Sequence, residues 1–302
     1  MNGYIWSTTV KYLLVLVSTI LITACGGGNS DSPANNGNTN NTAPTVNLSS
    51  KSDSEITSMS GTAFSLGDMA SAFGKDFDFS ATPVAGICTN EATGGSADIP
   101  SNLSSGFGTF TFVNCDLGGV LLDGQFVIGA SSIASFDTVF TLNAFSLTSE
   151  GIKLTFSGSM YVASSSNLGI ETARISSNGG TLNFKIESPN LNDDIEISQY
   201  ENSYTDDTTL GVRSSDFSYL VSSTSLGGMV GIKTTQTIKQ NYNLDPYPYA
   251  GAFEVMGSNN SKVRVTVLGD GSVNGLVRIE IDKDGNGIYE SSNDVLWTQF
   301  KL

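Results

Sequence analysis

The chain is predicted to be an all-β protein, on three observations. Apolar residues recur at every second position. Ile152, Leu154 and Phe156 do so, with Met160 and Val162 beyond Gly158, and so do Leu182, Phe184 and Ile186; Val263, Val265 and Val267; and Val277, Ile279 and Ile281. A period of two with polar residues between marks antiparallel strands with one face on a core and the other in water. Turn-forming pairs, Asp123-Gly124, Glu150-Gly151, Asn178-Gly179, Asn259-Asn260 and Asp270-Gly271, punctuate these runs where positive φ is needed. After residue 75 no ten-residue stretch carries a helical stripe. The runs amount to about a dozen strands. They are compatible with a curved sheet, an open barrel or a sandwich, and no fixed-period repeat suggests a propeller or solenoid.

In chain order, Met1–Lys11 is polar with one positive charge, and Tyr12–Ile22 is an apolar run. That run is shorter than the ~20 residues a membrane-spanning helix needs, and its flanks are those of a secretory signal. It closes on Ile22-Thr23-Ala24-Cys25, which resembles the lipobox of bacterial lipoproteins. The resemblance implies a signal peptide over 1–24, a diacylglyceryl group on the Cys25 thiol and acylation (palmitate) of the new N-terminus. Gly26 after the cysteine implies the outer membrane. Removal of 24 residues, Lys11 among them, leaves 278 residues and a formal charge of −16. Anionic headgroups repel such a body, so the anchor is the acyl chains.

Residues 25–54, the lipidated Cys25 followed by GGGNSDSPANNGNTNNTAPTVNLSSKSDS, bury little and are expected to form a disordered linker. The folded domain is expected over 55–302, with room for a division into two subdomains near residue 190. Ser65–Phe73 is the one helix expected, capped by Ser65 and stopped at Gly74, although Gly67 lies inside it. Cys88 and Cys115 are an even pair in an exported chain and are expected to form a disulfide. Closing that loop would stabilise the fold by roughly 3.6 kcal/mol on a chain-entropy basis.

Composition excludes several chemistries. There are 14 Lys+Arg, 29 Asp+Glu and no histidine, so Ser-His-Asp and Cys-His catalysis and His-ligated zinc are absent. The negative balance argues against nucleic acid. No G-x-S-x-G, S-x-x-K, P-loop or G-x-G-x-x-G occurs, and the expectation is a non-enzyme. The remaining catalytic route is a carboxylate pair of the glycosidase kind, with Asp137, Glu171, Asp216 and Glu254 as candidates. Tyr242–Tyr249, rich in aromatics and proline, reads as a stiff connection more readily than as a sugar-stacking platform.

The sharpest motif is Asp282-Lys283-Asp284-Gly285-Asn286-Gly287-Ile288-Tyr289-Glu290, which resembles the first half of an EF-hand calcium loop. The resemblance implies Asp282, Asp284 and Asn286 as side-chain ligands, Ile288 through its carbonyl, Glu290 directly or through water, and Gly287 at the sharp turn. The twelfth position is Asn293 rather than Glu, and the flanks read as strands, so the expectation is a calcium-binding β-hairpin loop and no EF-hand. From Ala252 the ending also resembles the C-terminal part of uncharacterised bacterial lipoproteins with a VRVxV…VRxExDxDGxGxYE pattern. It implies an extracytoplasmic β protein and no activity. The expected function is an anchored, non-catalytic structural or ligand-binding domain, calcium being its one implied cofactor. The alternatives are a carrier of an apolar ligand in a concave sheet and a carboxylate-dependent carbohydrate-active enzyme.

Overall fold

A computed structural model describes residues 43–75, 88–91, 94–99, 107–189 and 191–300. The signal segment, Cys25 and the linker up to residue 42 lie outside the described residues. The strands are β1 (Ser96–Asp98), β2 (Gly108–Asp116), β3 (Leu121–Ala130), β4 (Thr138–Ser149), β5 (Ile152–Asn167), β6 (Ile170–Ser176) and β7 (Thr181–Glu187). They continue with β8 (Asn192–Asp207), β9 (Val212–Ser223), β10 (Gly228–Asn241), β11 (Ala250–Met256), β12 (Lys262–Val267), β13 (Leu276–Asp282) and β14 (Ser291–Leu296). Two helices complete the body, α1 (Asp53–Lys75) and α2 (Trp297–Phe300).

All fourteen strands belong to one antiparallel sheet that does not close into a barrel. Neighbours in space are neighbours in sequence, an up-and-down meander, with one local exception. β6 and β7 lie end to end in a single row: β6 pairs the far half of β5 and β7 its near half, and β8 repeats the arrangement on the other side. The β7–β8 hairpin is paired from Thr181↔Ser198 to Glu187↔Asn192, so the sheet runs through the neighbourhood of residue 190. The turns β5–β6, β8–β9, β10–β11 and β12–β13 lie along one rim, here the upper, and β7–β8, β9–β10, β11–β12 and β13–β14 along the lower.

A line of irregularities crosses the sheet at mid-height. The register shifts between Phe112 and Cys115 in β2, Asp123 and Gln125 in β3, Leu142 and Phe145 in β4, and Ser198 and Glu201 in β8. The break between β6 and β7 falls on the same line. Asn114, Ala144 and Gln199, at φ 47°, 49° and 52°, are the residues that absorb the extra length. A bulge bends its strand and increases local twist, so bulges in register fold the whole sheet along one crease. Asp123-Gly124, expected as a turn, is one of these bulges inside β3. Hairpin turns and bulges both require positive φ (94° at Gly124), so the dipeptide alone does not distinguish them. Glu150-Gly151, at φ 52° and 80°, does join β4 to β5 as a tight turn.

The creased sheet wraps α1, which touches β5, β9, β10 and α2. This helix is far longer than Ser65–Phe73. It begins with a reciprocal cap: the Ser52 N–H donates to Glu55 Oε2 at 2.8 Å and the Glu55 N–H donates back to Ser52 Oγ at 3.3 Å. From Met59 to Ser71 every residue except Asp68 is buried. Small and hydroxyl-bearing residues let sheet side chains approach from all sides. The buried Ser60 hydroxyl is satisfied by donating to Ile56 O within the helix. Gly67 is there for contact: a Cβ at this position would lie 2.0 Å from the Tyr219 ring. The Tyr219 hydroxyl donates to Ala63 O at 3.2 Å and that of Tyr200 to Gly67 O at 3.3 Å. Burial holds both phenols well above their ordinary ionisation range. Phe64 stacks on Phe253 at 4.9 Å and lies within 6.4 Å of Phe217, Trp297 and Phe300.

One further feature differs from the reading of composition, and one agrees with it. Residues 43–54, placed in the linker, join the body: Val46 and Leu48 are buried, and the Thr45 N–H donates to Met229 O at 2.8 Å. Few residues there are apolar, but Val46 and Leu48 among them are both used. At the other end of the sheet Cys88 and Cys115 form a disulfide with Cα atoms 5.1 Å apart. Cys88 lies in a turn, pinned to β2 by Thr89 N–H to Asp116 O and by the Asn90 side chain, which bonds both Asn114 O and the Asp116 N–H.

Candidate functional site

The loop between β13 and β14 gathers the residues that the motif singles out. Asp282, the last residue of β13, is fully buried, and its two carboxylate oxygens accept from the Gly285 N–H (2.8 Å) and the Gly287 N–H (2.9 Å). Asp284 accepts from the backbone and side-chain nitrogens of Asn286. Asn286 in turn accepts from the Ile288 N–H at 2.7 Å, and Glu290 accepts from the Lys283 N–H at 2.9 Å. Each link curls the chain toward the same centre, and carboxylate oxygens of Asp282, Asp284 and Glu290 come within 4.8 Å of one another. Gly285 is required by its φ of 75° and by the Asn259 carbonyl, 2.1 Å from where a Cβ would stand. Thus the three carboxylates meet and Asn286 is bonded to one of them. Ile288 is exposed beside them, tied in by its N–H.

Three carboxylates at this spacing repel one another and together present hard oxygen ligands of the kind calcium takes. The loop's one lysine does not neutralise them: the Lys283 Nζ lies 2.7 Å from Asp53 Oδ1 and 3.0 Å from Lys51 O. Hydrogen bonds from Lys283, then from Ser291, hold the Asp53 carboxyl below its ordinary value. The loop is thereby stitched to the first turn of α1.

The rest of the C-terminal pattern builds a second assembly on the outer face beside the loop. The register aligns Lys233, Glu254, Arg264 and Glu280 across four strands, an alternating ladder of charge. Glu254 lies 3.7 Å from Lys262 and 3.9 Å from Arg264, and Arg264 lies 3.7 Å from Glu280. Tyr289 caps the ladder, its ring 4.3 Å from the Arg264 guanidinium and its hydroxyl donating to Glu254 at 3.2 Å. Burial, then the Glu254 charge, pushes this phenol up to about 12. The valines of the pattern point the other way, into the core.

The four carboxylates considered for catalysis are dispersed: Asp137 precedes β4, Glu171 is on β6, Asp216 on β9 and Glu254 on β11, no two on adjacent strands. Asp137 accepts from the Ser164 N–H, Asp216 from the Thr237 hydroxyl, and Glu254 belongs to the ladder. In Tyr242–Tyr249, Tyr247 lies parallel to Trp297 at 5.9 Å, while the exposed Tyr242 lies 5.4 Å from the Arg213 guanidinium. This is the packing of a stiff connection.

A cleft that no local motif signals, of about 260 Å³, opens between α1 and β8–β10, with Asp68, Asn202, Arg213, Gln240 and Pro246 among its walls. Arg213 pairs with Asp206, at 2.6 Å from Nε, and lies between the Tyr204 and Tyr242 rings. The buried Asn202 donates to Ser71 and accepts from Ser215. The best-buried polar groups of this cleft are therefore satisfied within the protein. Its walls come from segments more than a hundred residues apart, and no signal in the sequence could have joined them.

Compared with known proteins, the chain matches no family model, no curated protein and no solved structure.

Proposed function

We propose that this is an exported lipoprotein, anchored through acyl chains at Cys25, whose β body has a non-catalytic structural or binding role and is stabilised by calcium in the 282–290 loop. The observation that carries the reading is the convergence of Asp282, Asp284 and Glu290 within 4.8 Å, in a loop tied to the start of α1. Bound calcium would supply charge compensation and oxygen coordination. Asp282, Asp284 and Glu290 would hold it, with Asn286 beside them. Because Lys283 bridges to Asp53, ordering the loop would also hold the helix entry. α1 occupies the interior of the sheet, which favours a filled body over a carrier of an apolar ligand.

Thermal melting with calcium and with chelator tests the metal. The parent chain is expected to melt higher with calcium, and the Asp284→Asn/Glu290→Gln double variant to be insensitive to it; a parent melt unmoved by calcium would falsify the site. Asp282 is left intact because it also holds two backbone N–H groups. Metabolic labelling with a fatty acid tests the anchor: label is expected on the parent and none on Cys25→Ser. Label persisting on that variant would reject the lipid assignment.

A further inference from the structure

The two rims of the sheet differ in what they expose. Of the eleven large apolar side chains exposed among the described residues, eight lie on the upper rim, at the four turns β5–β6, β8–β9, β10–β11 and β12–β13. The most prominent stand at consecutive turns: Leu168 is 94% exposed, Leu210 68%, Leu244 78% and Val273 57%. The lower-rim turns expose one, Ile288. The turns are joined to one another: Thr208 N–H donates to Gly169 O, Tyr242 N–H to Gly211 O, and Tyr247 N–H to Gly271 O. The leucines therefore form a row held by backbone bonds. Scattered single apolar residues need no explanation, but a one-sided row of turn tips does.

We propose that the upper rim is a lipid-docking edge, whose apolar tips enter the interface of a bilayer with zwitterionic headgroups. The chemistry selects this occupant over others. Each tip projects singly from its own turn, which a fluid hydrocarbon accepts without matched pockets, whereas a folded partner needs a complementary groove for each. Tyr242, half-exposed at the foot of Leu244, has the amphipathic character that suits the headgroup level. The same rim carries Glu171, Asp207, Asp245 and Asp270, with the nearby Arg213 already paired to Asp206. That charge repels anionic lipid, and it repels a second copy meeting the rim face to face. The described start of the chain, residues 43–52, does not supply a cover. It joins the body at the lower rim, through Thr45 on Met229, and residues 26–42 hold no large apolar side chain.

The test uses the chain from residue 25 onward with Cys25→Ser, which retains every described residue and carries no acyl group. Co-sedimentation with phosphatidylcholine vesicles is expected for this chain. In the Leu168→Ser/Leu210→Ser/Leu244→Ser variant binding is expected to fall about tenfold or more, with the melting temperature unchanged because all three side chains are exposed. Val113→Ser, an exposed apolar residue away from the rim, is expected to bind like the parent. The proposal is overturned if the parent stays in the supernatant, if the triple variant binds equally, or if binding requires anionic lipid. It is also overturned if size-exclusion chromatography shows the triple substitution turning a dimer into a monomer, since the rim would then meet a second copy. None of these results depends on lipidation or on calcium.

Discussion

The two wings of the sheet are held by different means. In the wing from β1 to β4 the described core is a phenylalanine cluster, Phe110 on Phe126 at 4.5 Å and Phe126 on Phe145 at 5.3 Å, backed by the Cys88–Cys115 bridge. In the wing from β9 to β14 the core is α1 itself, gripped by Tyr219, Phe253, Trp297 and Phe300, with the 282–290 loop stitched to its entry. Among the described residues there is no second sheet for this one to bury a face against. Each wing therefore needs its own filler, covalent and aromatic in one and helical in the other.

Four measurements would break or sharpen this contrast. The largest effect is expected from Phe64→Ala, which empties the centre of the aromatic group around α1 and should cost about 3–5 kcal/mol in urea unfolding. Hydrogen exchange should rise in β9 and β10 before β2 and β3. Replacing both Cys88 and Cys115 by Ser should cost roughly 3–4 kcal/mol. Here the order of exchange should reverse, β2 and β3 opening first. Equal loosening of both wings by either change would mean that they do not differ in support.

Gly67→Ala comes next. In a solvated helix this change would stabilise by about 0.5–1 kcal/mol, but against the Tyr219 ring it should destabilise by about 1–3 kcal/mol. A gain in melting temperature would show that the ring moves aside. The smallest effect is that of pH. Hydrogen bonds from Arg278 and Lys283 lower Asp294 and Asp53, so their contributions are present above the ordinary carboxylate range and fade as pH falls through the folded values. Tyr289, raised to about 12, and the buried Tyr200 and Tyr219 act in the opposite sense: stability is full below pH ~10 and declines as pH rises toward 12 and beyond. With no histidine in the chain, stability should be flat between about pH 5 and 9. A transition inside that window would overturn this expectation.

Strands were legible because alternation is a local signal: Val263, Val265 and Val267 are buried and their neighbours are not. α1 was under-read for a physical reason. A helix buried on all sides has no apolar stripe to detect, and Gly67, which argues against a helix in isolation, is there to admit a ring. The Ser52…Glu55 cap was present in the sequence as the signal that would have moved its start. The meeting of three carboxylates in the 282–290 loop was legible because they lie within nine residues. The cleft beside Arg213 and the row of exposed leucines were not, since both exist only once distant turns are set side by side.

The meander also sets the order in which the fold can complete. Every strand except β7, which is added to β5, can be added to the one before it, so the sheet grows from local contacts. The described start of the chain differs: Phe64 of α1 meets Phe253, Trp297 and Phe300, and Val46 O accepts from the Ser258 N–H, across some two hundred residues of chain. During synthesis α1 is therefore left without these partners until the last strands emerge. A product truncated before residue 253 would lack the aromatic partners that shelter Phe64 on that side of α1.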